Sequence, residues 1–251
     1  MASSPERGVR GRRPILVTGN GRSGTTWLGE TLSRAPGVRY YKEPCHPLHT
    51  GAPREAVDGI WSRVLMPGDR DPYFEAALGS AFSGGRGPGL VARWPSLARL
   101  PGARRRVVVK EVAAFASTEW VARRWDPHVL VILRHPGAYA ASVRALGNDA
   151  GELARLRRVA AAPRLAETSL AGARPRLERI ATPLEAAAAW AIRTRLVLDA
   201  LARHPEWLVV TYEELARAPV EGFRSLYGRL GLSFTRAVEG WVAERTAADA
   251  P

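Results

Sequence analysis

Short apolar runs alternate along this chain with longer stretches of helical periodicity. Pro14–Gly19 (PILVTG), Val38–Tyr41, Val107–Lys110, Val129–Leu133 and Trp207–Thr211 read as strands, each a continuous apolar run. Helices are predicted over Thr25–Arg34, over Ser117–Trp125 with Ser117 as N-cap, from Pro136 onward, over Pro183–Arg203, and over 213–217, 220–230 and 235–246. Between the second and third strands the pattern is mixed, with helical patches near 54–66 and 72–82 and a Gly/Pro loop at 84–89. The Arg/Ala-rich segment 149–181 reads as helical, interrupted at 172–175. Continuous apolar strands alternating with helices predict an α/β fold, a parallel sheet covered by helices on both faces. No repeat or linker divides the chain, so 14–251 is expected to form one domain behind a flexible tail, 1–13.

Composition narrows the function classes. With 46% hydrophobic and 24% charged residues over 251 positions, the chain has a globular balance and is not broadly disordered. The net charge of +13 invites a polyanionic partner. Yet Lys42 and Lys110 are the only lysines among 37 cationic side chains. That imbalance reads as a bias toward arginine as the default surface cation, so nucleic acid is not the expected partner. No apolar run approaches the roughly 18 residues of a membrane span. Pro14–Val17 is too short for the apolar part of a signal peptide, and Cys45 is the sole cysteine. A cytoplasmic protein without an intrachain disulfide is expected.

Chemistry concentrates first in GNGRSGTTW, residues 19–27, which joins the first strand to the first helix. Such a loop presents backbone N–H groups and the positive helix end to an anion. Gly19 and Gly24 occupy the glycine positions of a nucleotide-binding P-loop and Thr26 its final hydroxyl, but Thr25 stands where the lysine belongs, and the cation comes earlier, at Arg22. Magnesium-dependent P-loop enzymes usually end a later strand with Asp. Here two later strands lead into Lys110 and Arg134. Cations at the carboxyl ends of strands imply an anionic ligand held without a metal ion.

RSGTTWL after a strand resembles the 5′-phosphosulfate loop of sulfotransferases that use 3′-phosphoadenosine 5′-phosphosulfate (PAPS). Cytosolic members often carry Lys where this chain has Arg22, whereas carbohydrate and tyrosyl-protein members often carry Arg. The resemblance implies a three-layer P-loop-type sheet and a cofactor site made by Arg22, Ser23, Gly24, Thr25, Thr26 and Trp27, with Trp27 beside the adenine. RHPGAYAAS resembles the family's 3′-phosphate motif, with Arg134 at a strand end and Ser142 eight residues on, in the following helix. Arginine binds phosphate bidentately and serine adds a hydroxyl bond, a pair that selects PAPS over ATP.

Three residues are expected to act on the transferring group. Glu43 in YYKEP resembles the general base of carbohydrate and tyrosyl-protein sulfotransferases, with His46 and His49 as alternatives. Pro44 is expected to hold Glu43 extended, and Arg22 and Lys110 to keep it ionised. Lys110 matches a strand-end lysine found near the sulfuryl group, where it and Arg22 would stabilise the leaving oxygen. Tyr212 is expected to pack rather than react. The expected reaction moves a sulfuryl group from PAPS to a hydroxyl of a small molecule, sugar or natural product, releasing adenosine 3′,5′-bisphosphate, with no metal.

The resemblance covers residues 14–44, 107–144 and 207–232. Segments 45–106 and 145–182 match nothing specific and are expected to shape the acceptor pocket. The family's basic, glycine-containing phosphate clasp after a segment like Glu244–Ala247 has no counterpart before Pro251, so the chain is expected either to be a short version or to supply that clasp from other residues. Two rival readings are a P-loop nucleotide-dependent kinase and a non-catalytic polyanion-binding protein.

Overall fold

The computed structural model describes residues 13–53, 58–91, 105–177, 179–180 and 185–248. Strands β1 (Ile15–Thr18), β2 (Val38–Lys42), β3 (Leu90–Val91), β4 (Arg106–Lys110), β5 (His128–Leu133) and β6 (Leu208–Thr211) form one sheet in the order β3-β2-β4-β1-β5-β6. All neighbours pair in parallel except β3, which runs antiparallel to β2. The helices are α1 (Thr25–Leu32), α2 (Pro47–Thr50), α3 (Pro72–Phe82), α4 (Thr118–Trp125), α5 (Pro136–Ala145), α6 (Asp149–Ala161), α7 (Arg174–Leu177), α8 (Glu185–Leu201), α9 (Tyr212–Arg217), α10 (Pro219–Leu230) and α11 (Arg236–Ala248). Among the described residues, no helix is long and apolar enough to cross a membrane.

Strand alternation sorts side chains into two cores. Leu16, Tyr41, Val109, Val129 and Val131 pack with Phe74 and Leu78 of α3, Trp120 of α4 and Val197 of α8. Ile15, Val17, Tyr40, Val108, Leu130 and Ile132 point the other way, onto Leu28 and Leu32 of α1 and Phe223 and Tyr227 of α10. Burying an aliphatic side chain of this size contributes about 1.5–3 kcal/mol. A sheet lined on both faces therefore outweighs the polar interruptions of single strands. Arg39 is one of these. It leaves the apolar run of β2 and donates from its guanidinium to the Gly84 carbonyl.

Several expectations are corrected. The patch near 54–66 is no helix where described: 58–66 holds only a short 3-10 turn, Ile60–Ser62, and 54–57 lies outside the described residues. The tail 1–13 is likewise outside them, except Arg13, which pairs with Asp126. Segment 149–181 breaks into α6, two 3-10 turns (Pro163–Glu167 and Ala171–Ala173) and α7. Pro163 and Gly172 interrupt a composition that otherwise favours helix, while Pro175 sits in the first turn of α7, where proline is tolerated. Ser117 does precede α4, but its hydroxyl caps nothing there. It donates to the Arg63 carbonyl and accepts from Leu65 N–H, tying that segment to the start of α4.

Candidate active site

The Gly19–Trp27 loop sits at the carboxyl end of β1, the strand between β4 and β5. Ser23 N–H closes a turn onto the Asn20 carbonyl at 3.2 Å. Arg22 and Gly24 both have positive φ, 67° and 86°. At Gly24 a Cβ would lie 2.6 Å from the Tyr212 ring, so the bend and the packing both require glycine. Leu28 N–H bonds to the Gly24 carbonyl, and N–H groups earlier in that first turn have no intrahelical acceptor. Ser23 is fully buried, and its hydroxyl, like the Asn20 side-chain carbonyl, has no hydrogen-bond partner among the described residues. An orphaned buried hydroxyl in a loop of this shape fits an anionic group such as a phosphosulfate.

Arg22, Arg134 and Ser142 are brought together, in a different pairing from the one expected. Arg22 Nε donates to Ser142 Oγ at 3.1 Å, and Arg134 Nη1 donates to the Arg22 carbonyl at 2.8 Å. The Arg134 guanidinium lies over the Tyr212 ring, 4.5 Å from its centre, and its buried Nε has no partner among the described residues. Trp27 meets Tyr212 edge-on at 5.8 Å and Phe223 at 5.0 Å. Tyr212 thus packs, as expected, against Gly24, Trp27 and Arg134 together.

Lys110 and Glu43 lie at the same sheet edge. Lys42 and Lys110 are register partners on β2 and β4, and α1 approaches them closely at Gly29, where a Cβ would lie 3.2 Å from the Lys110 Cβ. The Lys110 ammonium, almost wholly buried, donates to Glu43 Oε1. Burial pushes the Glu43 carboxyl up, but the charge and hydrogen bond of Lys110, then His46 and Lys42, outweigh it and hold the carboxyl below its ordinary value. Glu43 is not extended as Pro44 was expected to require. Its φ is 50°, in the left-handed region. Its N–H is taken by the Lys110 carbonyl at 2.7 Å, and its carbonyl accepts from His46 N–H at 2.9 Å and meets His49 Nδ1 at 2.9 Å. The two histidines therefore border the site, and His46 Nδ1 accepts from Leu48 N–H at 3.2 Å.

Sequence reasoning missed two features that support these residues. Beneath α5, Tyr139 Oη donates to Glu152 Oε2 at 2.8 Å, and Arg193 Nη2 donates to both, at 2.8 Å and 3.2 Å. Burial pushes the Tyr139 phenol up to about 12. The next residue on α8, Thr194, accepts from Asn20 Nδ2 at 3.0 Å, so α8 braces both the loop and the helix bearing Ser142. In so arginine-rich a chain, nothing marked Arg193 as buried. The second feature is Glu111, whose carboxylate accepts Cys45 N–H at 2.9 Å and Ala113 N–H at 2.7 Å.

The sulfotransferase family model matches residues 14–236. No curated protein matches the chain. Among solved structures, the chain is similar to a sulfotransferase from Alicyclobacillus acidocaldarius at 18% identity, over 95% of this chain and 92% of that one, with a TM-score of 0.44. It is similar to mouse sulfotransferase SULT7A1 complexed with PAP at 16% identity, over 94% of this chain and 64% of that one, with a TM-score of 0.44. It is also similar to sulfotransferase STF9 from Mycobacterium avium at 16% identity, over 97% and 70%, with a TM-score of 0.49.

Proposed function

The chain belongs to the sulfotransferase family, and from that premise we propose that it moves a sulfuryl group from PAPS to a hydroxyl of a small-molecule or carbohydrate acceptor, without a metal ion. The observation that supports this most is the meeting, at one sheet edge, of an anion-shaped loop with an orphaned buried hydroxyl and a carboxylate held ionised by a buried lysine. Bound PAPS supplies the sulfuryl group. Ser23 Oγ and the first-turn N–H groups of α1 receive its 5′-phosphosulfate, and Thr25 and Thr26 line that end of the helix. Arg134 and Ser142 bind the 3′-phosphate, and Trp27 flanks the adenine. Arg22 and Lys110 stabilise charge on the leaving oxygen, in the manner of cationic clamps on phosphoryl groups. Glu43 takes the acceptor's proton on its carboxylate.

The nucleotide-kinase reading is not favoured, because Thr25 replaces the P-loop lysine and the runs of β4 and β5 lead into Lys110 and Arg134 rather than Asp. The two readings separate in a thermal-shift experiment. At 100 times its Kd, adenosine 3′,5′-bisphosphate in EDTA is expected to stabilise the protein by about 2.7 kcal/mol, a rise in Tm of about 5–10 °C. ATP with Mg²⁺ is expected to do nothing comparable. The reverse pattern would reject PAPS as the donor. Turnover is likewise expected to persist in EDTA. Incubation with PAPS and a metabolite extract, followed by a search for mass gains of one sulfuryl group, identifies the acceptor.

A further inference from the structure

Glu111 is a fully buried carboxyl just after β4 that forms no ion pair among the described residues. Its partners are two backbone N–H groups, Cys45 on one oxygen and Ala113 on the other. Its backbone is fixed independently of the side chain, since its N–H bonds to the Val17 carbonyl at 3.0 Å and its carbonyl accepts from Thr18 Oγ1 at 2.8 Å. The side chain thus reaches from the frame of β1 and β4 to the turn that carries Glu43.

That turn is the strained part of the site. Glu43 is one of three non-glycine residues with positive φ among the described residues, and Pro44 follows it. Such a conformation persists only when its surroundings over-determine it. The turn is pinned before Pro44 by Glu43 N–H on the Lys110 carbonyl and after it by Cys45 N–H on the Glu111 carboxylate. Proline has no N–H of its own to contribute. A buried carboxylate is costly to maintain where a neutral group would serve. Two converging N–H donors explain it, because both oxygens must accept and an amide offers only one acceptor.

Resting on the reading of Glu43 as the base, we propose that Glu111 is a positioning residue for catalysis. By clamping Cys45 N–H, it holds the Glu43 turn in its left-handed form and so sets the Glu43 carboxylate on Lys110. It touches neither donor nor acceptor.

The test is a double-mutant cycle. Rates are read as release of adenosine 3′,5′-bisphosphate from saturating PAPS in a metabolite extract, and bisphosphate affinity is read separately by calorimetry. Glu111→Gln is isosteric but turns an NH₂ group toward one of the two N–H donors. It is expected to slow turnover by about 10- to 100-fold, the effect of displacing a reacting group by roughly an ångström, with bisphosphate affinity unchanged. In a Glu43→Gln background the same substitution is expected to cost nothing further, because Glu111 acts only through Glu43. A folded Glu111→Gln enzyme with normal turnover would overturn the proposal, as would an undiminished loss in the Glu43→Gln background. If Glu111→Gln does not bind bisphosphate and so fails to fold, Glu111→Asp takes its place. It keeps both oxygens on a shorter stem, and the same cycle decides. Near-normal turnover of Glu43→Gln alone would remove the base reading and this proposal together. An inactive Glu43→Gln with a normal Glu111→Gln would remove only this one.

Discussion

Replacing Glu43 by Gln is expected to lower turnover on the order of 10²-fold or more while leaving bisphosphate affinity intact. The substitution preserves shape and removes the carboxylate's charge, and with it both the proposed proton acceptor and the ion pair with Lys110. The loop proposed to bind the cofactor is built from Asn20–Thr26 and braced by α5 and α8, and none of its described bonds passes through the Glu43 side chain. Near-normal turnover in this variant would dismiss Glu43 and leave His46 and His49, which border the same turn. The pH dependence has a definite sign. Lys110 holds the Glu43 carboxyl below its ordinary value, so the acidic limb of the rate profile is expected to lie below the usual glutamate range. Lys110→Met removes the cation and is expected to move that limb upward. The same shift bears on stability. A carboxylate with a lowered folded pKa contributes stability that is present above its unfolded pKa and fades as the pH falls through the folded one. An acidic limb unmoved by Lys110→Met would show that the pair does not control the base.

Arg134→Ala is expected to weaken adenosine 3′,5′-bisphosphate binding by about 10- to 150-fold, the loss of a charged hydrogen-bonding partner worth about 1.5–3 kcal/mol. The structure adds a second contribution. Arg134 also holds the Arg22 carbonyl and thus the positive-φ turn of the loop, so adenosine 5′-phosphate is expected to weaken as well, though by much less. The excess loss for the bisphosphate reports the 3′-phosphate. Ser142→Ala is a milder companion, since it removes a single hydroxyl and frees Arg22 Nε. Calorimetry with both ligands checks the assignment, and equal weakening of the two would reject it.

Strands β1, β4 and β5 were legible because they lie inside the sheet and are buried on both faces, which writes a continuous apolar run into the chain, and β6 carries such a run although Val209 is exposed. Strand β3 was not. It has two residues, Leu90 and Val91, and exists because Tyr40 and Tyr41 of β2 offer an edge to pair with. Within the candidate site, residue types and the order of elements were readable, and the pairings were not. Arg134 and Ser142 were matched by spacing along the chain, yet the fold sets Arg22 between them. The conformation of Glu43 was misread because a local rule about the residue before proline was applied alone. Three long-range or turn bonds to its own backbone decide the matter instead. Tertiary hydrogen bonds of this kind leave no periodic trace in a sequence.

The scarcity of lysine gains a practical meaning from the register of β2 and β4. The chain's two lysine amines, Lys42 and Lys110, sit side by side at the proposed site of transfer. Their side chains are 40% and 2% exposed. An amine-directed reagent therefore meets one accessible side-chain target on the whole surface, and it lies at the mouth of the site. A dye or photo-crosslinker attached at Lys42 would report directly on what enters, with no engineered cysteine and no background from lysines elsewhere.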